Sequence, residues 1–580
     1  MSELKAIYAR LRKWPYFFAM LALLATTLSL WRIVASYHEI SSTIDESYFL
    51  ATGMQFLDHD GKYTYPSSHP PVAEIASALL PYLDGATAHG NARTYDEGLA
   101  VLHGQNTYWR TLILERLGIL PFYLIGVFLL WSWSKKMYGE KVAFITVLFY
   151  TLTPPILAHA GIANTDVPLT TAIIGASYAL WWWIQRPNRD RSILLGFAIG
   201  FAACTKLTFF LFFPVASLVI IGYEYFVIKS FRQKIKPISK TFQFAGIALL
   251  TTCLTIWAIY GFSVGTIPNG KQILDGGGTL RNAPPTTGAV VPAPEFFGAI
   301  LAVNKYNAEN GTTAYFLGKH TEEGVVWFFP VTLALKTPIA LLLASIIASF
   351  LIFLNWTKIR PSEKWIQGAV MPFLISAGIM ITVLPAKIHF GVHHILPIYP
   401  FLAMLGAFGI VWIWKSYGDI GKAGAALLLL WTFFSSISYD PDRLAYFNEF
   451  TSASRNPPLL LGSLDWGQDL DKLSDTLQAR GIKSYSMRYY GSAHLESHGL
   501  SGFKGLWEPA EWVAVSKYIM YGDDGYTWLR DETPTARIGN TILLFHFSDA
   551  DIARLRAKIS GKSEAPAKDT TDQWNALRIN

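Results

Sequence analysis

Two adjacent carboxylates, Asp45 and Glu46, open a polar stretch directly after the first long apolar run of the chain. At a membrane edge a carboxylate can take the proton of an incoming hydroxyl or amine, and it can equally do no more than solvate a helix end. Asp166, in GIANTDVPLT, stands just ahead of another apolar run. With Pro168 two residues on it suits a helix N-terminus, and that placement is compatible with catalysis. Three cations complete the inventory. Arg116 lies in LERLGILPFYL beside Glu115, near the end of an apolar stretch, where an ionisable residue is usually functional unless it snorkels to the headgroups. Lys206 is flanked by GFAACT and LTFFLFFP, and Lys336 by FFPVTLAL and TPIALLL. A lone ammonium in such surroundings needs an anion. Separated carboxylates with two or three cations at one membrane face make a site for a phosphorylated lipid and an acceptor that gives up a proton.

The elements that hold these residues are set by composition. Of 580 residues, 52% are hydrophobic and only 15% charged, against about 25% in an ordinary soluble domain. The apolar residues fall in blocks of about 20, the length that crosses a hydrocarbon core of about 30 Å. Such blocks occur near 15–37, 114–134, 141–159, 167–185, 192–205, 207–228, 241–263, 326–354, 365–384, 395–414 and 422–438, which predicts about eleven transmembrane helices. The net charge of +7 comes from short basic clusters between blocks, so it sets membrane orientation rather than binding nucleic acid. Cys204 and Cys253 lie far apart in apolar runs and give neither a disulfide framework nor a zinc pattern. The basic N-terminus with its long apolar run, lacking a small-residue cleavage site, reads as a retained first helix.

Basic residues recur in every second connection: Lys5 to Lys13, Lys135–Lys136, Arg186 to Arg191, Lys229 to Lys240, Lys358 to Lys364 and Lys415 to Lys422. The positive-inside rule places these in the cytoplasm, with 192–228 as a tight hairpin whose tip, at Lys206, is outside. A first outer loop at about 38–112 then carries Asp45 and Glu46 and bends at Ser68-His69-Pro70-Pro71, where the proline pair stiffens the chain. A second outer loop spans about 264–325. The transmembrane module is expected over 1–438 and an extracytoplasmic α+β domain over 439–560, followed by a polar tail at 561–580. In that domain DWGQDLDKLSDTLQARG has helical periodicity, while KSYSMRYYG, EWVAVSKYIMY and ARIGNTILLFHF read as strands.

Several strings taken in order carry a resemblance. DESYF, SHPPV, NTDVPLT and GFAIGFAACTKLT resemble the membrane glycosyltransferases of the protein O-mannosyltransferase and aminoarabinose-transferase superfamily. AYFLGKHTEEGVVWFFPVTLALKTPIALLL, HHILPIYPFLAMLGAFG, LAYFNEF and LDWGQDLDKL are similar to its bacterial phospholipid-carrier-dependent branch. The resemblance implies a GT-C architecture, with outer loops over a cavity that receives the carrier lipid. It implies a catalytic role for Asp45, its neighbour Glu46 and the second acidic position Asp166, and a carrier-phosphate contact for Arg116. Lys206 and Lys336 join as further cations. His69 stands where the aminoarabinose branch has a lysine, and His393-His394 where the family has Arg-Tyr, which places both His69 and His393 among candidate phosphate ligands. Ser68 replaces a glutamate that helps to hold a divalent metal in that branch, so no metal is carried over.

The expectation is therefore a polytopic α-helical membrane protein of the GT-C type with a C-terminal extracytoplasmic α+β domain. It sits in the inner (plasma) membrane with its N-terminus cytoplasmic. Its expected reaction is an inverting transfer from a polyprenyl-phosphate sugar to an extracytoplasmic protein, lipid or polysaccharide. No nucleotide-sugar site is expected: the Gly-rich LDGGGTL reads as linker. A lipid-linked sugar flippase would also explain spans and buried charges, and a non-catalytic envelope assembly protein would use the C-terminal domain as a binding module. Asn310-Gly311-Thr312 fits a glycosylation sequon, a tripeptide common by chance.

Overall fold

A computed structural model describes residues 16–58, 69–91, 93–104, 107–227, 238–267, 288–309, 314–321, 324–354, 364–387, 389–451, 457–460, 462–501, 503–504, 509–522 and 524–560. The N-terminal basic cluster, Ser68, Lys229 to Pro237, the Gly-rich linker, the Asn310 sequon, Lys358 to Pro361 and the polar tail lie outside the described residues.

The first apolar run forms α1 (Phe17–Ala35). The first loop then folds into three short helices, α2 (Glu46–Asp58), α3 (Pro71–Leu83) and α4 (Thr94–His103). Pro70 and Pro71 start α3, where a missing N–H costs nothing. The chain re-enters the bundle through α5 (Tyr108–Tyr138). Gly118 of α5 sits against the Ala76 carbonyl of α3 with no room for a Cβ, so the loop helix lies directly on the span. A bent pair follows, α6 (Glu140–Leu152) and α7 (Pro154–Ala160), turned by 64° where Pro154 and Pro155 interrupt the hydrogen-bond ladder. Next come α8 (Asp166–Gln185), α9 (Arg189–Ala203), α10 (Phe209–Gly222) and α11 (Ile238–Ile259). After the second loop, with α12 (Pro294–Glu309), a second bent pair forms from α13 (Phe328–Lys336) and α14 (Ile339–Leu354). It turns by 117° at Thr337-Pro338. The last membrane helices are α15 (Lys364–Val383), α16 (Tyr399–Ser416) and α17 (Gly418–Ile437).

Seven helices among the described residues are long and apolar enough to cross a membrane, or up to nine if each bent pair is one span. That departs from the eleven stretches read in the sequence. The two that fall short by length are α9, of 15 residues, and α15, whose apolar part is Gly368–Val383. Burial separates the spans: Val392–Ser416 is 89% buried and Lys240–Ile259 only 6%, so α16 is central and α11 peripheral. Outward apolar side chains such as Leu23, Phe242, Leu249 and Phe434 are exposed, a surface suited to lipid.

Beyond α17 a five-stranded sheet forms in the order β6-β5-β7-β9-β8, where two earlier pairs, β1 (Val264–Thr266) with β2 (Val290–Pro292) and β3 (Ala314–Phe316) with β4 (Lys319–Thr321), belong to the second loop. Its strands are β5 (Tyr485–Arg488), β6 (Phe503–Lys504), β7 (Trp512–Ser516), β8 (Ala536–Ile538) and β9 (Ile542–His546). β5 pairs in parallel with β6 and β7, while β9 runs antiparallel to β7 and β8. The amphipathic α18 (Leu470–Ala479) buries Leu470, Leu473 and Leu477 against Tyr485, Met487 and Leu544. Two stretches read as strands contain more than one element. EWVAVSKYIMY becomes β7 followed by α19 (Lys517–Gly522), and ARIGNTILLFHF becomes a hairpin that turns at Gly539. A final helix, α20, covers Asp549–Ser560.

Candidate functional site

The hub of the site is a buried ion pair that the sequence did not announce. Arg116, fully buried on α5, donates from Nε and Nη2 to the two oxygens of Glu46 at 2.8 and 2.9 Å. Its remaining N–H groups reach the carbonyls of Tyr37 and Ile40 at 2.9 Å each and Ser41 at 3.1 Å. All five guanidinium donors are thereby used. Glu46 also accepts from the Thr43 backbone at 2.8 Å, the Thr43 hydroxyl at 3.1 Å and the Ala163 backbone at 2.9 Å. Two of the expected site residues are thus fully engaged within the described fold. Arg116 has no donor left for a phosphate, and Glu46 has no lone pair left for proton transfer. Their bonds tie the start of α2, which directly follows Asp45, to α5 and to Ala163 in the turn ahead of Asp166.

Lys336 is likewise engaged within the fold. Its ammonium is buried, donates to the carbonyls of Leu444 (3.0 Å) and Ser463, and lies 4.2 Å from the centre of the Phe447 ring. Asn448 adds bonds to the Ala334 and Thr337 carbonyls at 2.5 and 2.8 Å. Lys336 thus ties the bend between α13 and α14 to the segment after α17.

The remaining candidates converge. Lys206, at the turn between α9 and α10, donates to Asp166 at 2.6 Å, with the two side chains 12% and 4% exposed. Neighbouring backbone supports that turn, since the Val72 N–H of α3 bonds to the Cys204 carbonyl at 3.0 Å. Asp45 lies within electrostatic reach of both partners. Among the described residues no hydrogen bond or ion pair reaches its carboxylate. Burial, then the Asp166 charge, push its pKa up to about 6, against the opposing pull of Lys206. His69 packs edge-on to Phe49 at 5.5 Å. Burial and the Lys206 ammonium push its pKa down to about 3, so it is a neutral imidazole at pH 7 and offers an N–H rather than a charge.

His393, in the short helix Val392–Ile398, forms the far wall. Its ring stands 4.4 Å from that of His394, 5.0 Å from Trp466 and 5.6 Å from His159. His393 Nδ1 and Trp466 Nε1 are buried without a hydrogen-bond partner among the described residues. Buried polar atoms without a partner call for one, a water or a polar group of a ligand. Asn164 links this wall to the acid, accepting from the Asp166 N–H at 3.1 Å and meeting His159 Nδ1 at 2.9 Å. His159, Asn164 and Trp466 were not singled out from the sequence. The available signal was a lone histidine in the apolar PPILAHA and an asparagine two residues ahead of an acid.

The C-terminal domain closes on the same face. Ser41 and Ile44 donate backbone N–H groups to the carbonyls of Gln468 and Trp466 at 3.0 Å each. Ser41 Oγ bonds to Asp471 at 2.8 Å, and Ser492 Oγ to the Ile44 carbonyl at 3.1 Å. Among the described residues no three His, Cys, Asp or Glu come together as a metal ligand set.

Comparison with known proteins follows this geometry. A family model described as dolichyl-phosphate-mannose-protein mannosyltransferase matches residues 114–260. A search of curated proteins returned no match. Among solved structures the chain is similar to ArnT from Cupriavidus metallidurans bound to undecaprenyl phosphate, at 13% identity over 90% of this chain and 97% of that one, with a TM-score of 0.45. It is also similar to the S. cerevisiae protein O-mannosyltransferase Pmt1–Pmt2 complex bound to the sugar donor, at 12% identity over 82% and 93%, with a TM-score of 0.47. The Archaeoglobus fulgidus oligosaccharyltransferase tethered with an acceptor peptide gives 11% identity over 73% and 55%, with a TM-score of 0.43. The matched family is one of those that the sequence strings resemble, and its model covers residues 114–260 of the 580.

Proposed function

We propose that the protein transfers a sugar from a polyprenyl-phosphate carrier to an acceptor at the extracytoplasmic face, with inversion at the anomeric carbon. The observation that carries this reading is the Asp45 carboxylate, unpaired among the described residues beside the Lys206–Asp166 pair. The matched family's description, which names a dolichyl-phosphate sugar, supports a polyprenyl-phosphate donor. In the proposed step an acceptor O–H or N–H gives its proton to Asp45, and the acceptor atom forms a bond to the anomeric carbon. The bond from that carbon to the phosphate oxygen breaks, and its electron pair leaves with the lipid phosphate. Charge accumulates on the phosphate as it departs, which Lys206 stabilises as a cation and His69 and His393 as N–H donors. Asp166 holds Lys206 in place. The outer placement rests on the alternation of basic clusters.

A base with a pKa near 6 is mostly ionised at pH 7 yet strong enough to take a proton in the transition state. The test is Asp45→Asn in the purified chain, supplied with polyprenyl-phosphate hexoses and pentoses in turn. Transfer should vanish while undecaprenyl phosphate still binds. Since folding raises the Asp45 pKa, its ionised form opposes folding, so the Asn variant should be at least as stable at pH 7. Near-normal turnover in a folded Asn variant would remove Asp45 as the base.

A further inference from the structure

The far end of α8 gathers cations around one aromatic ring. Trp182 lies about 24 Å along the helix axis from Asp166, so it belongs to the end of the bundle opposite Asp45. Lys136, from the last turn of α5, places its ammonium 4.8 Å from the centre of the Trp182 ring and 5.3 Å from that of Tyr178. Arg191, in the first turn of α9, has its guanidinium carbon 4.4 Å from the centre of the same Trp182 ring and donates from Nη1 to the Trp182 carbonyl at 2.7 Å. Asn188 fixes that turn by accepting from the Arg191 backbone N–H at 3.0 Å. Arg186, in the same short connection, lies within electrostatic reach of Arg191.

The two connections that meet here, 135–141 and 186–191, carry six cations and two carboxylates, Glu140 and Asp190. Glu140 is paired with Lys135 at 2.7 Å. Glu224, which accepts from Trp181 Nε1 at 3.0 Å, raises the carboxylates to three, so the positive excess holds whichever of them is bonded. Trp and Tyr rings collect where hydrocarbon gives way to headgroups. Directly after Arg191 the α9 side chains Ile193, Leu194 and Phe197 are exposed and apolar.

We propose that this cluster binds the headgroup of an anionic phospholipid. Arg191 spends Nη1 on the Trp182 carbonyl and turns its other donors to the phosphate, Lys136 and Arg186 add charge beside it, and the acyl chains lie along Ile193, Leu194 and Phe197. Orienting a chain in the membrane asks only for charge in a connection. Here a tryptophan ring, a backbone carbonyl and a helix cap hold two of the cations in place, which builds a site rather than a diffuse charge. The inference is independent of the transfer reaction, because no residue of the Asp45 site takes part.

The probe is phosphatidylglycerol, added to the detergent-solubilised full chain and read by the rise in melting temperature with lipid concentration, beside phosphatidylcholine and glycerol phosphate. Wild type should respond to phosphatidylglycerol at a concentration at least tenfold below that needed of either other compound. Lys136→Gln with Arg186→Gln, two exposed side chains with no hydrogen bond among the described residues, should raise the phosphatidylglycerol concentration needed at least tenfold and keep the lipid-free melting temperature. Lys415→Gln with Lys422→Gln, exposed cations of another basic cluster, should leave the response unchanged. Arg186→Gln by itself covers the case in which the first pair fails to fold, and should weaken the response in the same direction. The proposal is overturned if wild type does not respond to phosphatidylglycerol, if glycerol phosphate acts as well as the lipid, if both pairs weaken the response equally, or if the folded first pair responds like wild type.

Discussion

Arg116→Lys separates positioning from phosphate contact, because the charge is kept and the fork is lost. The ammonium supplies three donors where the guanidinium uses five, so at least two of the five acceptors around Arg116 lose a partner in a site with no exposure. Each buried bond to a charged group is worth roughly 1.5–3 kcal/mol, so the loss of two should cost about 3 kcal/mol or more. Arg116→Met, which strands Glu46 as an uncompensated charge, should cost about 3–5 kcal/mol. The assay is unfolding in detergent, followed by undecaprenyl phosphate binding at a temperature where both proteins are folded. Arg116→Lys should melt earlier, and in Arg116→Lys with Glu46→Gln the two costs should not add, since they share bonds. A variant as stable as wild type but with weakened carrier binding would refute the reasoning and return Arg116 to the phosphate.

Two further outcomes follow from the site's charges and backbone. Activity should be lost as pH falls through about 6, where Asp45 takes up its proton; Lys206→Met removes the cation that favours ionisation, so the acid limb of the pH–rate profile should move to higher pH. Gly462 has a φ of +63° and passes close against the Phe390 carbonyl, and a Cβ added there would stand 2.9 Å from His393 Cε1. Gly462→Ala should lower stability by at least about 1–2 kcal/mol from backbone strain alone, and reduce turnover by displacing His393, read by melting and by transfer assay.

How much of this was legible in the sequence divides along a physical line. Apolar runs and basic clusters follow from one-dimensional composition, so the apolar helices and the strand-bearing C-terminal end could be read directly. The types of the chemical residues could be read too, and Asp45, His69, Asp166, Lys206 and His393 do come together. What the sequence could not supply was the pairing of each charge. Arg116 and Lys206 look alike as cations among apolar residues, yet one saturates its donors within the fold and the other bonds, among the described residues, to Asp166 alone. Saturation depends on carbonyls of residues far away in the chain, such as those of Tyr37, Ile40 and Ser41 around Arg116, and backbone acceptors leave no mark on residue type.

The same limit explains why helix length misjudges α9. At 15 residues it spans about 22 Å, less than a hydrocarbon core of about 30 Å. Yet Asp166 begins α8 and Lys206 follows α9, and their side chains meet at 2.6 Å. Since α8 carries the chain away from the Asp166 end of the bundle, α9 must carry it back, short as it is. His389 gives the corresponding constraint on α15. It accepts from the Val325 N–H at 3.3 Å, so the chain leaves through α13 and α14 and returns through α15 to the same end. Helices too short by length to count as spans are nevertheless tied back to the same end, α9 by an ion pair and α15 by a hydrogen bond. The contact between oppositely charged residues is therefore better evidence of a return passage than the length of the helix that makes it.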